Sequence, residues 1–144
     1  MVEMLKMQAK MQSNANQALE NEIKHRLASI GKTDIEQAIT EFTKAVKDNS
    51  NDASSISNLA IAYYIRGLTF TSKGEFNRAI QDYSEAIKLE PDYPLAFNKR
   101  ADANLKLGNY EQAIKDYEKL LQLNPNDNTA RDFIAMARAE MAKK

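Results

Sequence analysis

Gly31-Lys32-Thr33 ends in the letters of a phosphate-binding loop, and His25 is the chain's only imidazole. A phosphate loop needs a glycine five residues before Gly31 and a strand leading into it, so that successive backbone N–H groups converge on the phosphates. Arg26 stands at that place and no strand pattern precedes it. A turn followed by a helix is the better reading. One histidine with no cysteine and no adjacent acidic pair cannot assemble a metal site. No Ser/His/Asp arrangement can be placed, and the carboxylates are spread along the chain rather than paired across a cleft. No catalytic residue, metal ligand or cofactor motif is identified, and the expectation is a chain that is not an enzyme.

The remaining chemistry is binding. Lys plus Arg number 20 and Asp plus Glu number 20, so no global basic footprint invites nucleic acid. Lys99, Arg100 and Lys106 lie close together but form no track, and most aromatics fall at core positions of the pattern described below. Nucleic acid is not expected as a partner. The absence of cysteine removes disulfides and thiolate metal sites. Residues 1–17, "MVEMLKMQAKMQSNANQ", lack the continuous apolar core of a secretory signal, and no run reaches the roughly 18 apolar residues of a membrane span. A cytoplasmic protein with no membrane partner is expected.

What positions any binding side chain is a repeat. Residues 60–93 and 94–127 align without a gap and share nine identities: Ala62/Ala96, Arg66/Arg100, Gly74/Gly108, Ala79/Ala113, Ile80/Ile114, Asp82/Asp116, Tyr83/Tyr117, Leu89/Leu123 and Pro91/Pro125. Within each unit the apolar spacing predicts two helices, over about 60–72 and 75–89, then 94–106 and 109–123. Gly74 and Gly108 break the first helix of each pair. Pro91 and Pro125 end the second, because proline disfavours helical dihedrals in the residue before it. Ala79 and Ala113 are small so that neighbouring helices approach closely, with Tyr83 and Tyr117 beside them. The other charges drift, as residues facing water do. One such pair cannot bury its apolar stripe alone, so the pairs must stack.

A fainter copy occupies 34–52, where Ile35, Ala38, Ile39, Phe42, Ala45 and Val46 repeat the stripe of the second helix. Its partner helix is expected at about 18–30, from Ile23, Leu27 and Ile30. Seven extra residues, 53–59, separate this copy from the next. They equal nearly two helical turns, and Ile56, Leu59 and Tyr63 continue the apolar face, so a long helix is expected at about 53–72 with Asp52 or Asn51 as its cap. A last helix should run from Asp127 or Asn128 to about 142, with Phe133, Ile134, Met136, Ala137 and Met141 on its apolar face. Met4, Met7, Met11, Ala15, Leu19 and Ile23 are spaced to allow one amphipathic helix over 1–30. It is expected to pack beside 53–59; a frayed tail and a contact with a second molecule are the competing readings.

These residues resemble the tetratricopeptide repeat family: an aromatic, a small residue, an aromatic, Ala, an aromatic and Pro within 34 residues. Tyr63, Gly67, Phe70, Ala79, Tyr83 and Pro91 supply one unit; Phe97, Ala101, Ala113, Tyr117 and Pro125 supply the next. Asn104 departs from the pattern where an aromatic belongs, and looser packing is expected there. The resemblance implies an all-α, right-handed superhelical solenoid of about three hairpins and a C-terminal capping helix. Its units are a Met-rich extension (1–18), a degenerate hairpin (19–52), a repeat with an elongated first helix (53–93), a repeat (94–127) and the cap (128–144).

The resemblance also implies function. First helices of the family line a concave groove that takes a peptide or helix from another protein, so the chain is expected to be a non-catalytic adaptor or scaffold. The lining residues would be Ile61, Tyr64, Ile65 and Leu68, with Thr71, in one unit. Leu95, Asn98, Lys99, Asp102 and Leu105 would line the next, and Thr129, Asp132, Phe133 and Met136 the closing helix. Ile61, Tyr64, Ile65 and Leu68 form an apolar patch that either another helix of the chain or a ligand must cover. The alternative is self-assembly, a homo-oligomer made through the apolar groove or the N-terminal segment. Some family members clamp a chaperone's C-terminal carboxylate with Lys or Arg and Asn. The matching places are Ile23, Leu27, Ile65, Leu95 and Lys99 in one register and Tyr64, Leu68, Lys99, Thr129 and Phe133 in the other. Lys99 fits in the first register and nothing in the second, so carboxylate-clamp binding of a chaperone is disfavoured.

Overall fold

The computed structural model describes Asn21, His25 and residues 34–143. Asn21 and His25 are helical and exposed. The expected helix over 1–30, including the first half of the degenerate hairpin and the packing of its methionines on 53–59, lies outside the described residues. Among the described residues there are six helices and no strand: α1 (Ile35–Asp48), α2 (Ala53–Ser72), α3 (Phe76–Leu89), α4 (Pro94–Lys106), α5 (Tyr110–Leu123) and α6 (Asn128–Ala142).

Local chemistry sets most boundaries. Asp34, Asp52 and Asp127 cap α1, α2 and α6, each carboxylate accepting from N–H groups of the first turn. At α2 the Asp52 carboxylate also accepts from the Ser55 hydroxyl at 2.7 Å, and that hydrogen bond is the main cause of its lowered pKa. The seven inserted residues do lengthen α2 rather than form a loop. Gly74 and Gly108 have φ of +76° and +77°, the left-handed region that a Cβ disfavours. Around each, two hydrogen bonds close the preceding helix. Glu75 N–H donates to Phe70 and Gly74 N–H to Thr71; Asn109 N–H donates to Asn104 and Gly108 N–H to Leu105. α3 and α5 then start with no side-chain cap. Pro94 occupies the first turn of α4, where its missing N–H costs nothing.

Each helix packs chiefly on its neighbours in sequence, and α2 also touches α4. This is the contact pattern of an all-α solenoid. Apolar clusters follow it. Ala38, Ile39 and Phe42 of α1 meet Leu59, Ala62 and Ile65 of α2. Tyr64 meets Ala79, Tyr83 and Ala96. Phe97 and Ala101 meet Ala113, Tyr117, Ala130 and Ile134. Ala79 and Ala113 are completely buried at helix contacts.

Gly67 shows how close the contact is. A Cβ there would lie 2.5 Å from Cε1 of Tyr83, a buried ring whose hydroxyl is 2.8 Å from the Thr71 hydroxyl. Gly67→Ala would gain about 1 kcal/mol of helix propensity but force a fixed ring to move, an overpacking cost of about 1–3 kcal/mol. A net loss of stability is expected. A denaturant midpoint raised by Gly67→Ala would mean that the ring yields freely.

Two charges per repeat do not face water. Arg66 grips Asp82 with two hydrogen bonds, Nε at 2.7 Å and Nη2 at 2.8 Å, and Arg100 grips Asp116 likewise at 2.8 and 2.7 Å. Asp82 is 4% exposed and Asp116 5%. Each fork ties the first helix of a repeat to the second, and each arginine reaches one helix further back, Arg66 to Glu36 at 2.9 Å and Arg100 to the Ser84 hydroxyl at 3.0 Å. The hydrogen bonds to Asp82 raise the pKa of Arg66 further above its usual value. Asn104 is buried and accepts a hydrogen bond from the Asn109 side chain at 3.3 Å. The position that departs from the repeat pattern is thus filled by a polar pair.

Candidate functional site

α2, α4 and α6 are the first helices of their units, and their inner faces carry the expected lining residues. The three nearest the middle of α2 are closed off. Tyr64 is 0% exposed, with the rings of Tyr83 and Tyr93 at 5.8 and 5.4 Å. Ile61 and Ile65 are buried within the α1–α2 cluster. The expectation that Ile61, Tyr64 and Ile65 form an open groove surface is therefore corrected: the chain covers its own apolar patch, because Tyr93 and α1 pack over the two sides of α2. Leu68 stays partly exposed at the edge of the Tyr64 cluster.

The open surface lies one repeat further on. Leu95, Asn98, Lys99, Asp102 and Leu105 are all partly exposed on α4, as are Thr129 and Phe133 on α6; Asp132 and Met136 are exposed. Between α4, the end of α5 and α6 lies a cleft of about 210 Å³. Leu95 and Asn98 form one wall, Thr129 and Phe133 the other, and Leu120 and Leu123 complete its lining with Pro94, Asn124, Asp127 and Ala130. The contributions from α5 and the α5–α6 turn escaped sequence reasoning, which looked only at first helices. A signal existed in the replacement of Ala86 by Leu120 at equivalent repeat positions.

A buried tyrosine lies behind Phe133. The Tyr117 hydroxyl donates to Oδ1 of Asp102 at 2.5 Å, and the Tyr117 ring stacks on Phe133 with centroids 5.3 Å apart and planes 12° from parallel. Burial pushes the Asp102 carboxyl above its ordinary value, outweighing the Tyr117 hydrogen bond and the charges of Lys99 and Lys106, which pull it down. Burial, then the Asp102 charge, keeps the Tyr117 hydroxyl protonated well past its usual range. Among the described residues no cluster of His, Asp or Glu is arranged to hold a metal ion, and no helix is long and apolar enough to cross a membrane.

The Asp102 shift has a pH consequence. Its folded state holds the proton more tightly than the unfolded chain does. Its contribution is thus fully present below the ordinary carboxylate range, about pH 3.9, and is lost as pH rises through the raised folded value. Asp102→Asn keeps an acceptor for Tyr117 and removes the titration, so its stability should vary less with pH just above that range. Denaturant midpoints measured at about pH 4, 5, 6 and 7 would check this; parallel curves for both proteins would refute it.

Residues 67–108 match a family profile described as "TPR repeat", and residues 94–127 match one described as "Tetratricopeptide repeat". No curated protein matches the chain. Among solved structures, the chain is similar to the first TPR of Spaghetti (RPAP3) bound to the HSP90 peptide SRMEEVD. That match has 26% identity and a TM-score of 0.53 and covers 87% of this chain and 94% of the other. It shares its fold with the MamA protein at 22% identity and a TM-score of 0.57, covering 90% of this chain and 84% of that one. It likewise shares its fold with the second TPR domain of human RPAP3 in complex with the HSP70 peptide SGPTIEEVD, at 24% identity and a TM-score of 0.50, with 87% and 97% covered.

Proposed function

Because the chain is a tetratricopeptide-repeat protein, and in general terms a protein-interaction module, we propose that it is a non-catalytic cytoplasmic adaptor. Its concave side takes a peptide or helix from a partner protein, centred on the cleft between α4 and α6. The observation that carries this reading is the cleft itself, an open hollow of about 210 Å³ with an apolar lining and Asn98 and Thr129 at its walls. Leu68, Lys99, Asp102 and Leu105 extend the surface beyond it. Tyr64 supports Leu95 from the adjoining core, while Ile61 and Ile65 are buried against α1. The SRMEEVD peptide seen with the Spaghetti structure is not the ligand proposed here, since of the places a carboxylate clamp uses only Lys99 fits in one register and none in the other. Self-association is the second reading, favoured by Met136, which is 46% exposed on the same face of α6.

Asn98→Trp tests the site, since an indole at that position would fill the hollow from its rim. Peptides selected by display on the full chain should bind the wild type and lose binding to Asn98→Trp, while helical content and melting temperature stay unchanged. A selection that returns only peptides indifferent to Asn98→Trp would sink the proposal. A mass that rises with concentration in light scattering, and falls back on Met136→Ser, would favour self-association.

A further inference from the structure

The preceding repeat contains a filled version of the cleft. Set back by 34 residues, most of the cleft lining falls in the closed core that holds Tyr64, Tyr93, Ala86 and Leu89. Two rings of that core have no counterpart in the later copy: Asn98 stands in place of Tyr64 and Asp127 in place of Tyr93. Leu120 in place of Ala86 and Phe133 in place of Lys99 return part of the bulk, and a hollow of about 210 Å³ is left. Ring pairing differs in the same way. Tyr83, Tyr64 and Tyr93 form a run of three rings, with successive centroids 5.8 and 5.4 Å apart. Tyr117, the equivalent of Tyr83, stacks on Phe133 at 5.3 Å, and among the described residues no third ring pairs with these two.

We propose that the cleft takes an aromatic side chain, Phe or Tyr, from a peptide segment of a different protein, seated where Tyr93 sits in the preceding repeat. The inference rests on the groove reading above and names the side chain that anchors the ligand. Size agrees with it, since an apolar cavity of about 150 Å³ already holds a benzene ring. Leu95, Leu120, Leu123 and Phe133 offer apolar surface, and aromatic pairs gain beyond the area they bury. Asn98, Asn124 and Thr129 supply polar groups that orient the segment or meet a phenol hydroxyl. This chain has no such ring to spare. Residues 1–41 contain no Phe, Tyr or Trp, and each of the five Phe and six Tyr of the chain is buried or half-buried. A second copy therefore does not supply the anchor.

The probes are N-acetylphenylalaninamide, N-acetyltyrosinamide and N-acetylleucinamide, titrated into the isotope-labelled full chain. The readout is the side-chain amide NMR signals of Asn98 and Asn124. The two aromatic probes are expected to move both signals, with dissociation constants about fivefold below that of the leucine probe. Asp127→Tyr, which supplies a ring from the position equivalent to Tyr93, should abolish the response. Asp127→Ser, which keeps a helix cap, should retain it. If the leucine probe moves the signals at the same or a lower concentration, the groove reading stands and the aromatic inference is overturned. A response unchanged in Asp127→Tyr overturns it as well, and so does the absence of a response to any probe; the groove reading is then decided separately by the displayed peptides and Asn98→Trp. Signals that move when the chain alone is concentrated would put a second copy in the cleft, which also overturns the inference.

Discussion

Arg100→Met is expected to cost about 3 kcal/mol, a large share of the 5–15 kcal/mol that holds a domain of ordinary stability together. The unbranched apolar stem is kept and the guanidinium removed. Asp116, 5% exposed, would then sit between α4 and α5 without the two hydrogen bonds at 2.7 and 2.8 Å that now neutralise it. The loss comes mainly from stranding a buried carboxylate, so removing that carboxylate as well should restore much of the stability. Arg100→Met combined with Asp116→Leu is expected to lie closer to the wild type than Arg100→Met alone. Arg66→Met should behave similarly through Asp82; its second acidic partner, Glu36, has a side chain 67% exposed and simply returns to water. Urea melts of the two single variants and the double variant decide the matter. A single variant within about 0.5 kcal/mol of wild type would show that the pair acts like an ordinary surface ion pair.

Tyr64→Ala should cost about 3–5 kcal/mol, the range for removing a large buried aromatic side chain. The ring is enclosed by Tyr83 and Tyr93 and by Ala60, Ala79, Ala86 and Ala96. Small residues on both neighbouring helices cannot collapse into the space it leaves. The experiment separates the two roles that its position allowed. A groove residue would lose binding while keeping its melting temperature, whereas a core residue loses stability first. Unchanged melting of Tyr64→Ala with loss of partner binding would return Tyr64 to the groove.

The elements were legible in the sequence because each rests on short-range chemistry. Asp52 and Asp127 are cap residues, Gly74 and Gly108 take the left-handed conformation that ends a helix, and Pro91 and Pro125 stop the next. The apolar spacing of residues 53–59 already required a longer α2. Of the residues that the family resemblance put on the first-helix face, Leu95, Asn98, Thr129 and Phe133 border the cleft. The ion pairs were visible as identities, since Arg66/Arg100 and Asp82/Asp116 persist where other charges drift. What hid them was the rule that charges face water, which fails when an arginine fork satisfies a carboxylate on the adjacent helix.

The sequence by itself determined the helices, their ends and the 34-residue register, because capping, glycine dihedrals and apolar periodicity act over a few residues. Only the tertiary structure decided which inner-face residues remain available. Tyr64 and Asn98 hold equivalent positions in successive repeats, yet Tyr64 is sealed beneath Tyr93 while Asn98 faces an open cleft. The equivalent of Tyr93 in the next unit is Asp127, a short cap that leaves the space above α5 unfilled. Exposure is a property of what packs on top, and the covering side chains come from residues distant along the chain, Tyr93 over Tyr64 and α1 over Ile61 and Ile65.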